Sequence, residues 1–175
     1  MGQQGAPPMR ALSAIALIVA LCLSSGAFAS EEDFLQSIEG QWTGGGKVLT
    51  KLGGGKVDVS CSMKSDADRS SFSMNGTCSA LVVVKRTFTA TVKASGASYS
   101  GNYVGVSGKP SKLNGSREGN TLNLDVTWAN EIYGDRQARM TIEKIGGGGL
   151  RIRTLDQDPE SGETIVTTQL DLQRR

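Results

Sequence analysis

Histidine is absent from all 175 residues, and that one absence removes most nucleophilic and metal chemistry. A Ser-His-Asp or Cys-His relay, a His-bearing zinc site and a haem held by a proximal His all need an imidazole. Grouped carboxylates are the other route to acid–base work, and three groups occur: Glu31-Glu32-Asp33, Asp66 with Asp68, and Asp156, Asp158 and Glu160. The first reads as the opening turn of a helix, where the helix dipole stabilises acids. The second falls in a hairpin turn. The third alternates as a calcium loop would, but it lacks the central Gly and terminal Glu of an EF-hand at the right spacing, so it reads as a turn. A doubled Gly-Gly-Gly-Lys-Val, at residues 44–48 and 53–57, invites a phosphate-binding reading. It fails the Walker pattern at both ends: Gln41 and Thr50 stand where the first Gly belongs, and Val48 and Val57 replace Ser/Thr. Glycine inside a strand more often marks a bulge or a sharp bend. No catalytic residue, metal ligand or cofactor is assigned, and the chain is expected not to be an enzyme.

Binding chemistry is better represented. Arg86 shares alternation parity with Val82, Val84, Phe88, Ala90 and Val92. A cation on an otherwise apolar face can hold a ligand carboxylate or phosphate by a charge-assisted pair, unless the strand starts after it and leaves it in solvent. Tyr99, Tyr103 and Trp128 are candidates to stack on a ligand, or to form plain core. Asn130, Glu131, Tyr133 and Asp135 occupy a loop between two strong strands, where binding groups often reside. Cys61 and Cys78 are an even pair without a C-x-x-C motif, which reads as one structural disulfide in an oxidising compartment.

The compartment follows from the N-terminus. Arg10 is a basic n-region, residues 11–23 form an apolar run short for a membrane span, and Ala27-Phe28-Ala29 is a small-x-small cleavage pattern. Residues 1–29 are therefore expected to be a signal peptide cut after Ala29, leaving residues 30–175 as one periplasmic or secreted domain. Leu21 before Cys22 departs from a lipobox. Nineteen Lys and Arg against seventeen Asp and Glu leave the chain near neutrality. With no basic stripe, no polybasic run and no further long apolar segment, neither nucleic acid nor a transmembrane helix is expected.

The elements that must position these residues are strands. Only residues 31–38 read as a helix, capped by Ser30, with Phe34, Leu35 and Ile38 on one face. Thereafter alternation has period two. Val57, Val59, Cys61 and Met63 share a face, as do Phe72, Met74, Gly76 and Cys78. Leu122, Leu124, Val126 and Trp128 repeat the pattern, and so do Ala138, Met140 and Ile142. Weaker strands fit at residues 41–52, 86–93, 99–105, 112–116, 150–155 and 164–172, the last with Val166, Leu170 and Leu172 inward. Nine or ten strands joined by short turns predict an all-β fold, an up-and-down antiparallel β-barrel with a short N-terminal helix. The strands of Cys61 and Cys78 would then form one hairpin with both sulfurs on one face.

Residues 34–46, FLQSIEGQWTGGG, resemble the opening of the calycin superfamily, the lipocalin-like and fatty-acid-binding-like small barrels. There a short helix leads into G-x-W on the first strand, here Gly40-Gln41-Trp42. The resemblance implies that Trp42 packs across the closed end beneath an Arg from a late strand, Arg174 first and Arg153 second. It also implies a non-enzymatic role, with a small lipophilic or amphipathic ligand, or an envelope component, held in the barrel. The alternative is a protein-binding module, such as a periplasmic protease inhibitor acting through rim loops. A cavity lined by Phe88, Leu124 and Met140 would favour the first; a filled interior with a protruding loop would favour the second. Avidin-type binding is disfavoured because two tryptophans remain after residue 29, and a nitrobindin-like haem is disfavoured by the missing His.

Overall fold

The computed structural model describes residues 1–2, 26–81 and 83–175, with the backbone alone for 26–30. These form a helix, α1 (Gly26–Ile38), and ten strands: β1 (Gly40–Leu49), β2 (Lys56–Ala67), β3 (Ser71–Ala80), β4 (Val84–Ser95), β5 (Ser98–Val104), β6 (Pro110–Glu118), β7 (Thr121–Ile132), β8 (Asp135–Ile145), β9 (Gly149–Gln157) and β10 (Thr164–Arg174). Each strand pairs antiparallel with its sequence neighbours, and β1 pairs with β10 to close the barrel. Closure leaves no full-length free edge. The body of the expected signal lies outside the described residues. The helix starts earlier than expected, so Ala27–Ala29, Ser30 and the three acids all lie inside it. Alanines are strong helix formers, and their propensity extends the helix past the expected cap.

The two barrel ends differ. At one end the connections are tight: Ser95 pairs with Ser98, and Glu118 with Thr121. Gly96 and Gly119 there carry φ of 59° and 57°, conformations that only glycine adopts freely. Backbone bonds Ala94 N→Ser70 O (2.7 Å) and Lys144 N→Asn120 O (2.9 Å) stitch adjacent hairpins together. The other end carries the longer loops, at residues 50–55, 105–109 and 158–163.

The inward alternation fills the interior from the helix end upward. Trp42, Leu35, Ile38, Val92, Leu122, Leu124 and Val126 have no measurable exposure. Two departures from the expected pattern have local causes. Strand β1 stops at Leu49, because the Lys51–Gly55 segment forms a turn closed by Gly54 N→Lys51 O. In β10 the register shifts between Val166 and Thr168. That bulge turns Val166 outward opposite Leu155 and buries Thr167, whose hydroxyl donates to Thr154 O at 3.2 Å. The Gly44–Gly46 stretch of β1 pairs continuously on both sides. It carries no bulge and lies so closely against β10 that a Cβ on Gly46 would fall 1.8 Å from Gln169 O.

Candidate functional site

The closed end is built around α1. Phe34, Leu35 and Ile38 plug the barrel, and the Trp42 indole donates to Ile38 O at 3.1 Å. The Arg174 guanidinium lies 4.8 Å from the Trp42 ring centroid and donates to Ser37 O at 2.6 Å. Gly40, with φ 132°, gives that side chain room: a Cβ there would sit 3.3 Å from an Arg174 nitrogen. Lys144 approaches the same ring at 5.6 Å. Arg153, the second candidate for this role, faces outward instead and pairs with Glu143 at 3.1 Å. Its parity with Arg151 places it on the outer wall.

Tyr99 also belongs to this end. Strand β5 rises from Ser98, so Tyr99 sits at its base and its hydroxyl donates to Glu31. Tyr103, four residues higher, is roughly 13 Å away along the strand. Tyr99 is therefore a structural residue and not part of a ligand-stacking set. Glu31 also accepts two bonds from Arg117, at 2.9 and 2.8 Å. Arg117 holds the Glu31 carboxyl below its ordinary range, opposed by burial and helped by Tyr99. Sequence reasoning missed this cluster, although Arg117 continues the inward parity of Leu113 and Gly115.

The depressed Glu31 titration has a defined sign. The pair stabilises the fold above the ordinary carboxylate range, and that contribution disappears as pH falls through the lowered folded value. Glu31→Gln should cost about 2 kcal/mol at pH 7, the range for hydrogen bonds to charged groups. The variant should also unfold with a flatter acid limb below pH ~4.3, the free glutamate value. Urea titrations from pH 7 to 3 read both effects. An acid limb identical to the parent's would show that Glu31 is not the titrating group.

The open end gathers the remaining candidates. Phe88, Tyr103 and Trp128 form a layer across the barrel, with centroids 6.3 Å apart for Phe88–Tyr103 and 6.0 Å for Tyr103–Trp128. Gly76 makes room for it: a Cβ there would meet the Phe88 ring at 2.4 Å. Phe88, Tyr103, Cys78, Val59 and Ala138 are only partly buried. Beneath them, Leu124 is fully buried and Met140 is 8% exposed, so the layer is the floor of a shallow mouth and not the lid of a deep cavity. Burial raises the Tyr103 phenol above its usual range. The Trp128 Nε1–H is buried with no acceptor among the described residues, and an unmet buried donor is costly unless something completes it.

Arg86 lies inside β4, opposite Cys78 and in inward register, yet is exposed at the rim with its guanidinium 3.2 Å from Lys85 O. Both expectations for it need adjusting: the strand starts before it, but the barrel interior has ended at its level.

The wall beside this mouth is notched. Strand β4 pairs with β3 up to Ala80↔Val84, but with β5 only from Thr89↔Val104. Residues 84–88 thus rise roughly 16 Å above the end of β5. On the far side, β7 runs on to Ile132 while its pairing with β6 starts at Lys112↔Thr127. The short β5–β6 hairpin forms the sill of an opening framed by β4 and β7. From the β7 jamb the mouth is bridged toward β1. Tyr133, in the β7–β8 turn, donates its hydroxyl to Leu49 O. Asp156 is 4% exposed, in register with inward Thr154, and burial raises its carboxyl above the usual range. Its Oδ2 has no partner among the described residues. Asp158 instead accepts from Glu160 N and Ser161 N in the next turn, so these alternating acids do not converge. Among the described residues no group of acids and cysteines is placed to hold a metal ion.

Cys61 and Cys78 are direct register partners on β2 and β3, with sulfurs 2.06 Å apart. Two further grooves lie outside the barrel. One of about 660 Å³ runs between α1 and the β2–β3 turn, lined by Glu32, Glu39, Arg69 and Arg174. The other, about 480 Å³, lies on the outer wall near Val166.

Known proteins agree at the level of fold. The crystal structure of Rv2717c from M. tuberculosis superposes with a TM-score of 0.63 at 13% identity, covering 86% of this chain and 98% of that one. No family model matches the chain, and no curated protein matches it. The likeness is to a small barrel architecture. Among the described residues no helix is long and apolar enough to cross a membrane.

Proposed function

We propose that this chain is an exported, non-enzymatic binding protein of calycin type, which holds a small lipophilic or amphipathic ligand at the open end of the barrel. The observation that carries the reading is the aromatic floor of Phe88, Tyr103 and Trp128, open to the notch and bearing an unpartnered Trp128 Nε1–H. Flat aromatic surface supplies apolar contact at low entropic cost, and one buried donor fixes the orientation of a ligand oxygen. The packed layer beneath limits the ligand to a ring or short chain lying across the mouth. Residues 1–29 act in this reading as the export signal and 30–175 as the domain. A cysteine pair at disulfide distance suits an oxidising compartment.

Native followed by denaturing mass spectrometry of protein isolated from the periplasm tests it. A native mass excess that vanishes on denaturation is expected, and the lost mass gives the chemical class. Trp128→Phe keeps the floor but removes the donor, and should weaken retention of that ligand roughly tenfold, the value of one well-placed hydrogen bond. A protein carrying no adduct, together with a rim-loop pull-down of one stoichiometric protein, would replace this reading with the protein-binding alternative.

A further inference from the structure

We propose that the open end docks on an anionic lipid bilayer, the β3–β4 hairpin entering the headgroup layer and the notch facing the lipid. Among the described residues most of the large exposed aliphatic side chains cluster at this end. Leu81 and Val83, at the hairpin tip, are 75% and 82% exposed, Val106 on the sill is 75% exposed, and Val84 and Ile132 on the two jambs are 37% each. Folding does not call for the tip residues. Leu81 holds φ at 49°, where glycine or asparagine is the better choice, and Val83 N closes the turn onto Leu81 O at 2.8 Å. A leucine and a valine projecting from a strained turn contribute nothing to the core, and they suit insertion into an interface.

Charge selects the kind of surface. From Arg69 to Arg117 the sequence contains no Asp or Glu, while Lys85, Arg86, Lys93, Lys109 and Lys112 all fall within it. That span covers β3 to β6 apart from Glu118, which ends β6 at the helix end, so the four strands bearing the tip and the sill carry no acid near the mouth. Beyond Lys85-Arg86 no run of adjacent cations announces it, because the patch arises from excluded acids across four strands. Acids of this end lie from the β7 jamb onward: Glu131 ends β7, Asp135 starts β8, and Asp158, Glu160 and Glu163 occupy the β9–β10 turn, while Asp58 of β2 is paired with Lys47 at 2.8 Å. An anionic bilayer would attract the rim from β3 to β6 and repel the rim from β7 to β10, tilting the barrel so that the β3–β4 hairpin and the sill meet the membrane first. The inference stands whether or not the mouth carries a ligand.

Co-sedimentation with vesicles of phosphatidylcholine, with and without phosphatidylglycerol, tests it. Binding to the anionic vesicles alone is expected, falling steeply as salt screens the contacts. Leu81→Asp combined with Val83→Asp should weaken it by at least roughly tenfold, since two aliphatic insertions are lost and two like charges are added. Both side chains are solvent-exposed, so the thermal melt of this variant should match the parent. Lys85→Gln with Arg86→Gln should flatten the salt dependence. Absence of binding to anionic vesicles, or binding indifferent to the tip substitutions, overturns the proposal. So would sedimentation velocity showing that the tip substitutions abolish a dimer instead. Trp128→Phe should leave vesicle binding unchanged, which separates this surface from the ligand reading.

Discussion

Trp42→Ala should lower the unfolding free energy by about 4 kcal/mol, within the range for truncating a buried tryptophan. The ring is fully buried and is the point where three otherwise separate elements meet. Its Nε1 ties β1 to the last residue of α1, and Arg174 of β10 and Lys144 of β8 approach the same ring. Burial followed by the nearby Arg174 charge lowers the Lys144 ammonium below its usual range, so two cations approach one ring at some cost to each other. Removing the indole therefore opens a cavity, takes the Nε1–H donor from Ile38 O and leaves two neighbouring cations without the ring. Trp42→Phe keeps most of the apolar area and should cost about 1 kcal/mol for the lost hydrogen bond, plus the smaller ring. Urea unfolding with the m-value monitored decides the matter. An alanine variant losing less than half the expected amount would mean that α1 is only loosely docked.

The strand pattern was legible because each strand buries one face, and period-two alternation records that directly. Leu122, Leu124, Val126 and Trp128 needed no tertiary information to place. What alternation cannot carry is height along the barrel axis. Tyr99 and Tyr103 have the same parity on one strand, yet one closes the helix end and the other floors the mouth. Only the pairing register separates them. Arg86 shows the same limit: its inward parity was readable, but not that the neighbouring β5 ends below it. The bulge in β10 reversed Val166 through one inserted residue that no local signal marks. Contacts between α1 and β6, such as Glu31 with Arg117, lie 86 residues apart and leave no local trace.

These differences in height also divide the molecule by stability. The helix end has tight turns, a fully buried core, a paired carboxylate and an aromatic ring approached by two cations. The mouth has partly exposed aromatics and a β4 margin that β5 does not reach. Regions that bind and release are drawn from the less stable end of a fold, and this arrangement supplies one. One covalent feature opposes that gradient, at the base of the projecting hairpin.

Replacing Cys61 and Cys78 by alanine should cost about 3 kcal/mol, the chain-entropy value for a loop of this size. The pair spans 17 residues and joins facing positions of β2 and β3. Alanine is the correct replacement, because Cys61 is 4% exposed on the inward face and a serine hydroxyl there would lack a partner. The loss should not be spread evenly. Cys78 lies opposite Arg86, and Gly76, against which Phe88 packs, is the next inward residue of β3. Without the link, β3 and β4 are held at the mouth by a ladder that β5 no longer supports above Thr89. Amide exchange should therefore accelerate most from Val59 to Ser62 and from Thr77 to Ala80, while the amides of β7 and β8 near Leu122 and Ile142 change only by the global loss. A reduced or alanine-substituted protein with an unchanged urea midpoint would show that strand pairing alone fixes this hairpin. A uniform acceleration across all ten strands would show instead that the mouth and the helix end unfold as one unit.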